Sequence, residues 1–222
     1  MALRKIGCDV RFVDHMSGHT TEKAVLPQDN AAEVCCYSVF FGNKSTAFRH
    51  MQAVRKLANA PKLIIAFGPF ASEFPEEILS SGLADVVVID DPEFVVPKII
   101  QNLGPVDSFS SIPNIAYQAR GQMVRTPKHS FPDLDEIPFI GPFLHEQKEP
   151  VVIMASRGCQ YHCVFCDRNK LWGGGVRQRS LDNVIEEIRQ LVEVHQVKLI
   201  KFIDEDLPAD RQRFIALCED VS

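Results

Sequence analysis

Four short runs in this chain are almost continuously apolar: KLIIAF from Lys62, DVVVID from Asp85, PVVIMAS from Pro150 and KLIKFID from Lys198. A strand with water on one face alternates apolar and polar residues, so a continuous run needs cover on both faces. Helical patterns between the runs supply that cover. STAFRHMQAVRKLANA carries Phe48, Met51, Val54, Leu57 and Ala58 on one face. FPEEILSSG reads as a short helix closed by Gly82, and PEFVVPKIIQNLG as a helix with Pro92 near its start and Gly104 just past its end. CDVRFVD and EVCCYSVFF read as two further strands ahead of these. The expected fold class is therefore α/β, with a parallel, doubly wound, Rossmann-like sheet in the N-terminal part.

The alternation stops after Gly104. NIAYQARGQMVRTP has the pattern of a small hairpin turning at Gly121, and FPDLDEIPFIGPF, rich in proline and acid, reads as extended linker. The expected domains are residues 1–104, a linker with its hairpin over 105–149, and a second α/β unit over 150–222. In that last unit SLDNVIEEIRQLVEVHQ sets Leu181, Val184, Ile185, Ile188, Leu191 and Val192 on one face, with Ser180 as N-cap. KLIKFID then reads as a strand and RQRFIALCEDV as a helix.

Between the strand PVVIMAS and the helix that opens at Ser180 lies RGCQYHCVFCDRNKLWGGGVR. The chain has seven cysteines, an odd and unevenly spaced set that does not make a disulfide framework. Cys8, Cys35, Cys36 and Cys218 read as small packing residues. Cys159, Cys163 and Cys166, at C-x3-C-x2-C, form the one constellation. Thiolates select zinc, copper(I) or iron–sulfur clusters. A structural zinc site or a ferredoxin-type cluster needs a fourth ligand, and none follows at a suitable spacing; His162, next to Cys163, is badly placed to chelate the same ion. Three cysteines can instead hold three irons of a 4Fe–4S cube and leave the fourth open, as a catalytic site does. The loop's place after a strand fits, because ligand sites of βα architectures collect at the carboxyl ends of strands.

Cys159-x3-Cys163-x2-Cys166, with Phe165 directly before the last cysteine, resembles the cluster motif of the radical S-adenosylmethionine (SAM) superfamily. The likeness continues through RQRSLDNVIEEIRQLVE and IKFIDEDLPADRQRF. Ahead of it, the Rossmann-like unit and PDLDEIPF resemble the subfamily with an N-terminal cobalamin-binding domain, which includes anaerobic tetrapyrrole cyclases and methyltransferases. The resemblance implies an enzyme whose residues 150–222 form the first two βα units of a radical SAM partial barrel. It implies a 4Fe–4S cluster on the three cysteines, SAM on the open iron, reductive cleavage of SAM, and hydrogen abstraction or radical methylation. Phe165 would lie near the adenine, and Asp204 would meet SAM or substrate; a solvated acidic turn is the other reading of Asp204, Glu205 and Asp206. Arg168, Lys170, Arg177 and Arg179 could attract an anion, and Gly173, Gly174 and Gly175 could let backbone approach a ligand. The implied partners are a small-molecule substrate and an electron donor of flavodoxin or ferredoxin type.

Cobalamin is a candidate through the N-terminal likeness, with departures: Asp-x-His-x-x-Gly is missing, Phe67-Gly68 stands for a Gly-Gly pair, and Asp90-Asp91-Pro92-Glu93 stands for a Gly-Glu-Gly-Glu turn. Set beside the family, both ends read as clipped. The opening strand of the cobalamin-like unit and four βα units, on the order of 120 residues, lie outside the sequence, so the missing remainder of the barrel is a further expected partner. Two other readings are a methylthiotransferase, whose N-terminal domain should bring three more cluster cysteines, and a non-catalytic metal- or cobalamin-binding subunit. A net charge of −5 argues against a nucleic-acid partner, and no apolar run suits a membrane span or signal peptide, which makes the cytoplasm the expected location.

Overall fold

The structure, a computed structural model, describes residues 2–11, 32–104, 106–130, 133–141, 150–166 and 175–221. The chain divides into two compact units, Ala2–His129 and Ser130–Ser222. No helix among the described residues is long and apolar enough to cross a membrane.

The N-terminal unit opens with helix α1 (Ala2–Lys5) and is built on a five-stranded sheet. β1 (Val34–Ser38), β2 (Leu63–Phe67) and β3 (Val86–Val88) run parallel, with Cys35 opposite Ile64 and Ile65 opposite Val86. β4 (Ile115–Ala119) and β5 (Gln122–Arg125) continue the same sheet antiparallel. Helices α2 (Lys44–Arg55), α3 (Pro69–Glu73), α4 (Pro75–Ser80) and α5 (Pro92–Gln101) connect the strands. In α2 the buried line is Ala47, Met51 and Val54, at spacings of four and three residues, and it meets Ile64, Ala66 and Val87 of the sheet in one apolar cluster. β2, an inner strand between β1 and β3, is buried on both faces, as its unbroken apolar run requires. Each such side chain contributes about 1.5–3 kcal/mol.

Two expectations need correction here. The sheet is mixed, not purely parallel, because the hairpin assigned to the linker pairs onto β3: Val86 lies opposite Tyr117 and Val88 opposite Ile115. Ile115, Ala116 and Tyr117 are buried, so this hairpin joins the core, and the unit ends at His129 instead of Gly104. The strand expected at CDVRFVD is also not found over residues 8–11; its remainder lies outside the described residues.

The second unit contains two short sheets. β6 (Val151–Ile153) pairs parallel with β9 (Ile200–Phe202), Val151 opposite Ile200 and Ile153 opposite Phe202. β7 (Ser156–Cys159) pairs antiparallel with β8 (Gly175–Gln178). Helix α6 (Leu181–Glu193) follows β8, and α7 (Arg211–Val221) follows β9 through a 3-10 turn at Leu207–Ala209. Ser180 caps α6 as expected, its hydroxyl accepting the Asn183 N–H at 3.2 Å. α6 closes one small cluster of Val151, Ile153, Leu191 and Val197, and a second holds Ala155, Val184 and Leu217. Among the described residues β9 is paired on one side alone, and Leu199 and Ile203 beside it are about half exposed.

Candidate functional site

The expected strand–loop–helix arrangement of the cysteines is refined in one respect. VVIMAS is not one strand. β6 ends at Ile153, the chain turns at Met154–Ala155, and β7 starts a separate antiparallel ribbon. The cysteine loop joins the two strands of that ribbon. Cys159 is the last residue of β7, opposite Gly175 at the start of β8. Cys163 and Cys166 lie beyond it, exposed, with the Cys166 N–H donating to the Cys163 carbonyl at 3.0 Å.

The ribbon depends on Gly158. Its φ is +99°, and a Cβ there would meet the Gly175 carbonyl oxygen at 2.1 Å. β7 and β8 approach so closely that only hydrogen fits between them.

All three thiols are free. Among the described residues no three His, Cys, Asp or Glu side chains converge closely enough to hold one metal ion. Phe165 stands 90% exposed beside Cys166, and Arg168, Lys170, Gly173 and Gly174 lie outside the described residues.

Asp204 sits two residues past the end of β9, at the carboxyl end of the parallel pair. Both of its oxygens accept the Ala155 N–H at 3.1 Å, and Oδ1 accepts the Ser156 hydroxyl at 2.6 Å. Glu205 accepts the Gly158 N–H at 3.2 Å, and Asp206 accepts from the Gln160 side chain at 3.1 Å. These acids are thus tied to the ribbon and not simply solvated. Arg213 of α7 lies near them: burial lowers its pKa, while Asp210, Asp135 and Asp204 pull it the other way.

Arg179 is removed from the set of anion-attracting groups. Its Nη1 donates to Glu187 Oε2 at 2.6 Å and to the Met154 carbonyl at 2.9 Å, and its Nε donates to Asn183 Oδ1 at 2.7 Å. Glu187 also accepts the Ile140 N–H at 2.9 Å, and Asp135 accepts the N–H of Ser180 at 2.8 Å. The sequence analysis does not single out Glu187. It falls on the buried line of α6, three residues after Val184 and four before Leu191, and a carboxylate there signals a buried cation.

No family model matches the chain. Among curated proteins it is 26% identical over 171 residues to the uncharacterized methyltransferase PH0819 of Pyrococcus horikoshii, covering 73% of this chain and 37% of that one. It is 24% identical over 227 residues to the anaerobic magnesium-protoporphyrin IX monomethyl ester cyclase of Synechocystis, covering 96% and 45%. The ribosomal protein uS12 methylthiotransferase RimO of Prochlorococcus marinus matches at 21% over 209 residues, covering 91% and 42%. The chain thus spans less than half the length of these relatives.

Among solved structures, the cobalamin-dependent S-adenosylmethionine radical enzyme OxsB superposes with a TM-score of 0.74 at 20% identity, over 93% of this chain and 31% of that one. The radical S-adenosylmethionine methyltransferase TsrM of Kitasatospora setae gives 0.73 at 14% identity, over 99% and 46%. The chain thus has the fold of these two enzymes, and in sequence it is similar to methyltransferases, methylthiotransferases and anaerobic magnesium-protoporphyrin IX monomethyl ester cyclases.

Proposed function

We propose that Cys159, Cys163 and Cys166 ligate three irons of a 4Fe–4S cluster whose fourth iron binds SAM, in an enzyme that cleaves SAM reductively. The observation that carries the reading is the donor set: three free thiols on one loop, two of them exposed, at the mouth of a ribbon that follows a parallel strand. They suit a group larger than a single ion. The cluster would supply the electron for cleavage of SAM. The chain's own residues hold the thiols: Gly158 lets β8 close on β7, and Arg179, in the link between β8 and α6, anchors the turn at Met154. The partial barrel begun by β6 and β9, a small-molecule substrate and a flavodoxin- or ferredoxin-type donor belong to the same proposal. So does the location, the cytoplasm.

Anaerobic reconstitution of the chain should give a brown protein with about four irons. Cys163→Ala should lose most of that iron, and Cys218→Ala, on α7, should keep it. Equal loss in both variants, or one zinc and no iron in the wild type, would overturn the assignment. Production of 5′-deoxyadenosine from SAM on reduction tests the enzymatic half.

A methylthiotransferase has two relatives in its favour, but the thiols it should bring are not matched. The N-terminal cysteines are Cys8, Cys35 and Cys36, and neighbours on a strand such as Cys35 and Cys36 point to opposite faces.

Cobalamin would enter at the carboxyl edge of the N-terminal sheet, where open α/β sheets bind ligands. That edge holds a packed aromatic group. Phe41 meets Phe70 and Phe74 at centroid distances of 5.3 and 6.0 Å, and the Lys44 ammonium sits 4.5 Å from the Phe70 centroid. Among the described residues these rings stand where a nucleotide tail would enter, and no step is assigned to a corrin. Weak or no retention of hydroxocobalamin on gel filtration is expected; stoichiometric retention would show that the aromatic group parts.

A further inference from the structure

We infer that Asp204 is a positioning residue for the thiol triangle, holding the ribbon that carries Cys159 instead of contacting SAM or substrate. The inference rests on the cluster reading for its purpose and on hydrogen bonds for its geometry.

β6 belongs to the parallel pair and β7 to the ribbon, so the two-residue turn Met154–Ala155 is the covalent hinge between them. Two groups fix that hinge from opposite sides. From the link between β8 and α6, the Arg179 side chain donates to the Met154 carbonyl, and its backbone N–H donates to the Ala155 carbonyl at 3.0 Å. From just past β9, Asp204 takes the Ala155 N–H and the Ser156 hydroxyl. Ala155 and Ser156 are 1% and 4% exposed, so these charge-assisted bonds act away from water, where they are strong. The three contacts occupy most of the roughly four acceptor sites of a carboxylate.

The next two residues extend the grip in register. Glu205 takes the N–H of Gly158, immediately before Cys159, and Asp206 takes the side chain of Gln160, immediately after it. Consecutive residues after β9 thus hold points two residues apart along β7 and into the loop. Cys159 is bracketed on both sides. A site of this kind must hold its groups to about 0.5 Å, and a ribbon free to swing about Met154–Ala155 would move Cys159 by more.

The experiment uses the full chain in two states. On the apoprotein, amide hydrogen exchange is measured at Arg157–Cys159. On the reconstituted protein, iron release to an excess of a ferrous chelator is timed anaerobically, and SAM affinity is measured by titration. Asp204→Ala should speed both exchange and iron release by about tenfold, the loss expected for bonds to a charged acceptor. Asp204→Asn, which keeps one carbonyl acceptor, should fall between it and the wild type. Ser156→Ala removes a single bond and should give a smaller change of the same sign, which keeps the inference testable if Asp204→Ala does not fold. Asp206→Asn, whose contact is an exposed side chain, should stay within about twofold.

Wild-type exchange and iron release in Asp204→Ala would overturn the inference. Weakened SAM binding with iron release unchanged would also overturn it and make Asp204 a SAM ligand. A wild type that takes up no iron would overturn the cluster reading instead, and the exchange arm would still decide whether Asp204 holds the ribbon.

Discussion

In the N-terminal unit no ion pair among the described residues is buried on both sides; the most enclosed joins Asp90, 4% exposed, to Lys128, 45% exposed, at 3.2 Å. Lys44 and Glu77 meet at 2.5 Å with 34% and 46% of their side chains exposed, and Arg125 and Glu76 meet at 3.0 Å in similar conditions. Inside are Met51, Ile64 and Val87, with no exposure at all. The second unit reverses the arrangement. Its apolar clusters are small, and it buries Arg179 and Glu187 to 8% and 6% exposure at 2.6 Å. A five-stranded sheet with helices packed on it has enough apolar surface that at least one partner of each such pair stays near water. Two-stranded sheets do not, and polar groups at fixed geometry hold the parts in place instead. Buried pairs of this kind give weak net stability, but removing one partner leaves a stranded charge.

The largest effect expected from this difference is at the glycines. Gly158→Ala would put a Cβ 2.1 Å from the Gly175 carbonyl oxygen, backbone against backbone, with no flexible side chain to give way. The ribbon should open and iron uptake on reconstitution should vanish, while amide protection in β2 and β3 is kept. Gly68→Ala in the N-terminal unit is milder. Gly68 also has positive φ, +100°, but its Cβ would lie 3.0 Å from the Val39 carbonyl oxygen, and the strain should cost on the order of 1–3 kcal/mol. Comparable losses of iron in the two variants would erase the contrast between the units.

Next in size is the buried pair. Glu187→Ala leaves the Arg179 guanidinium buried without its carboxylate and the Ile140 N–H without its acceptor. It should destabilise the second unit by about 3–5 kcal/mol, read as a shift in the urea midpoint of its amide protection. Replacing both residues together, Arg179→Met with Glu187→Leu, should recover much of the loss, since an apolar pair of similar volume carries no stranded charge. A double variant as unstable as the single one would mean that the pair's further bonds, to Met154 and Asn183, matter more than its charge.

How much of this was legible in the sequence follows the same division. β2 and β3 are readable because their apolar runs leave no other placement, and the Met51–Val54 face of α2 because its period is clean. The three cysteines and the Ser180 cap are local patterns and are equally readable. Tertiary pairing is what hides the rest. The hairpin at Ile115–Arg125 has turn chemistry that identifies it as a hairpin, but nothing within it says that Tyr117 will lie opposite Val86. The break of VVIMAS into β6 and β7 is invisible for a similar reason: the run is continuous, and the turn at Met154–Ala155 is made by Asp204 and Arg179, some fifty and twenty-five residues away. Glu187 was legible in principle, as a carboxylate on an apolar line. Asp204 and Glu205 offered acid in a turn, which fits solvent, ligand or backbone equally well.

The smallest expected effect is at the exposed pair. Glu77→Gln removes the partner of Lys44 but strands nothing: Lys44 remains within reach of water and over the Phe70 and Phe48 rings, 4.5 and 5.6 Å from their centroids. An exposed ion pair contributes about 0–1 kcal/mol, and salt screens it further. Glu77 also lies in the first turn of α4, where a negative charge favours the helix dipole by a few tenths of a kcal/mol. The sum should stay under about 1 kcal/mol, should shrink further in high salt, and should appear in the N-terminal unit alone. The measurement is the urea midpoint of amide protection in β2 at low and high salt, set beside that of Glu187→Ala in β6. The two changes each remove one carboxylate from a basic partner. If Glu77→Gln cost as much as Glu187→Ala, burial would not be what separates the two pairs, and the aromatic rings around Lys44 would have to be holding it as tightly as Arg179 is held.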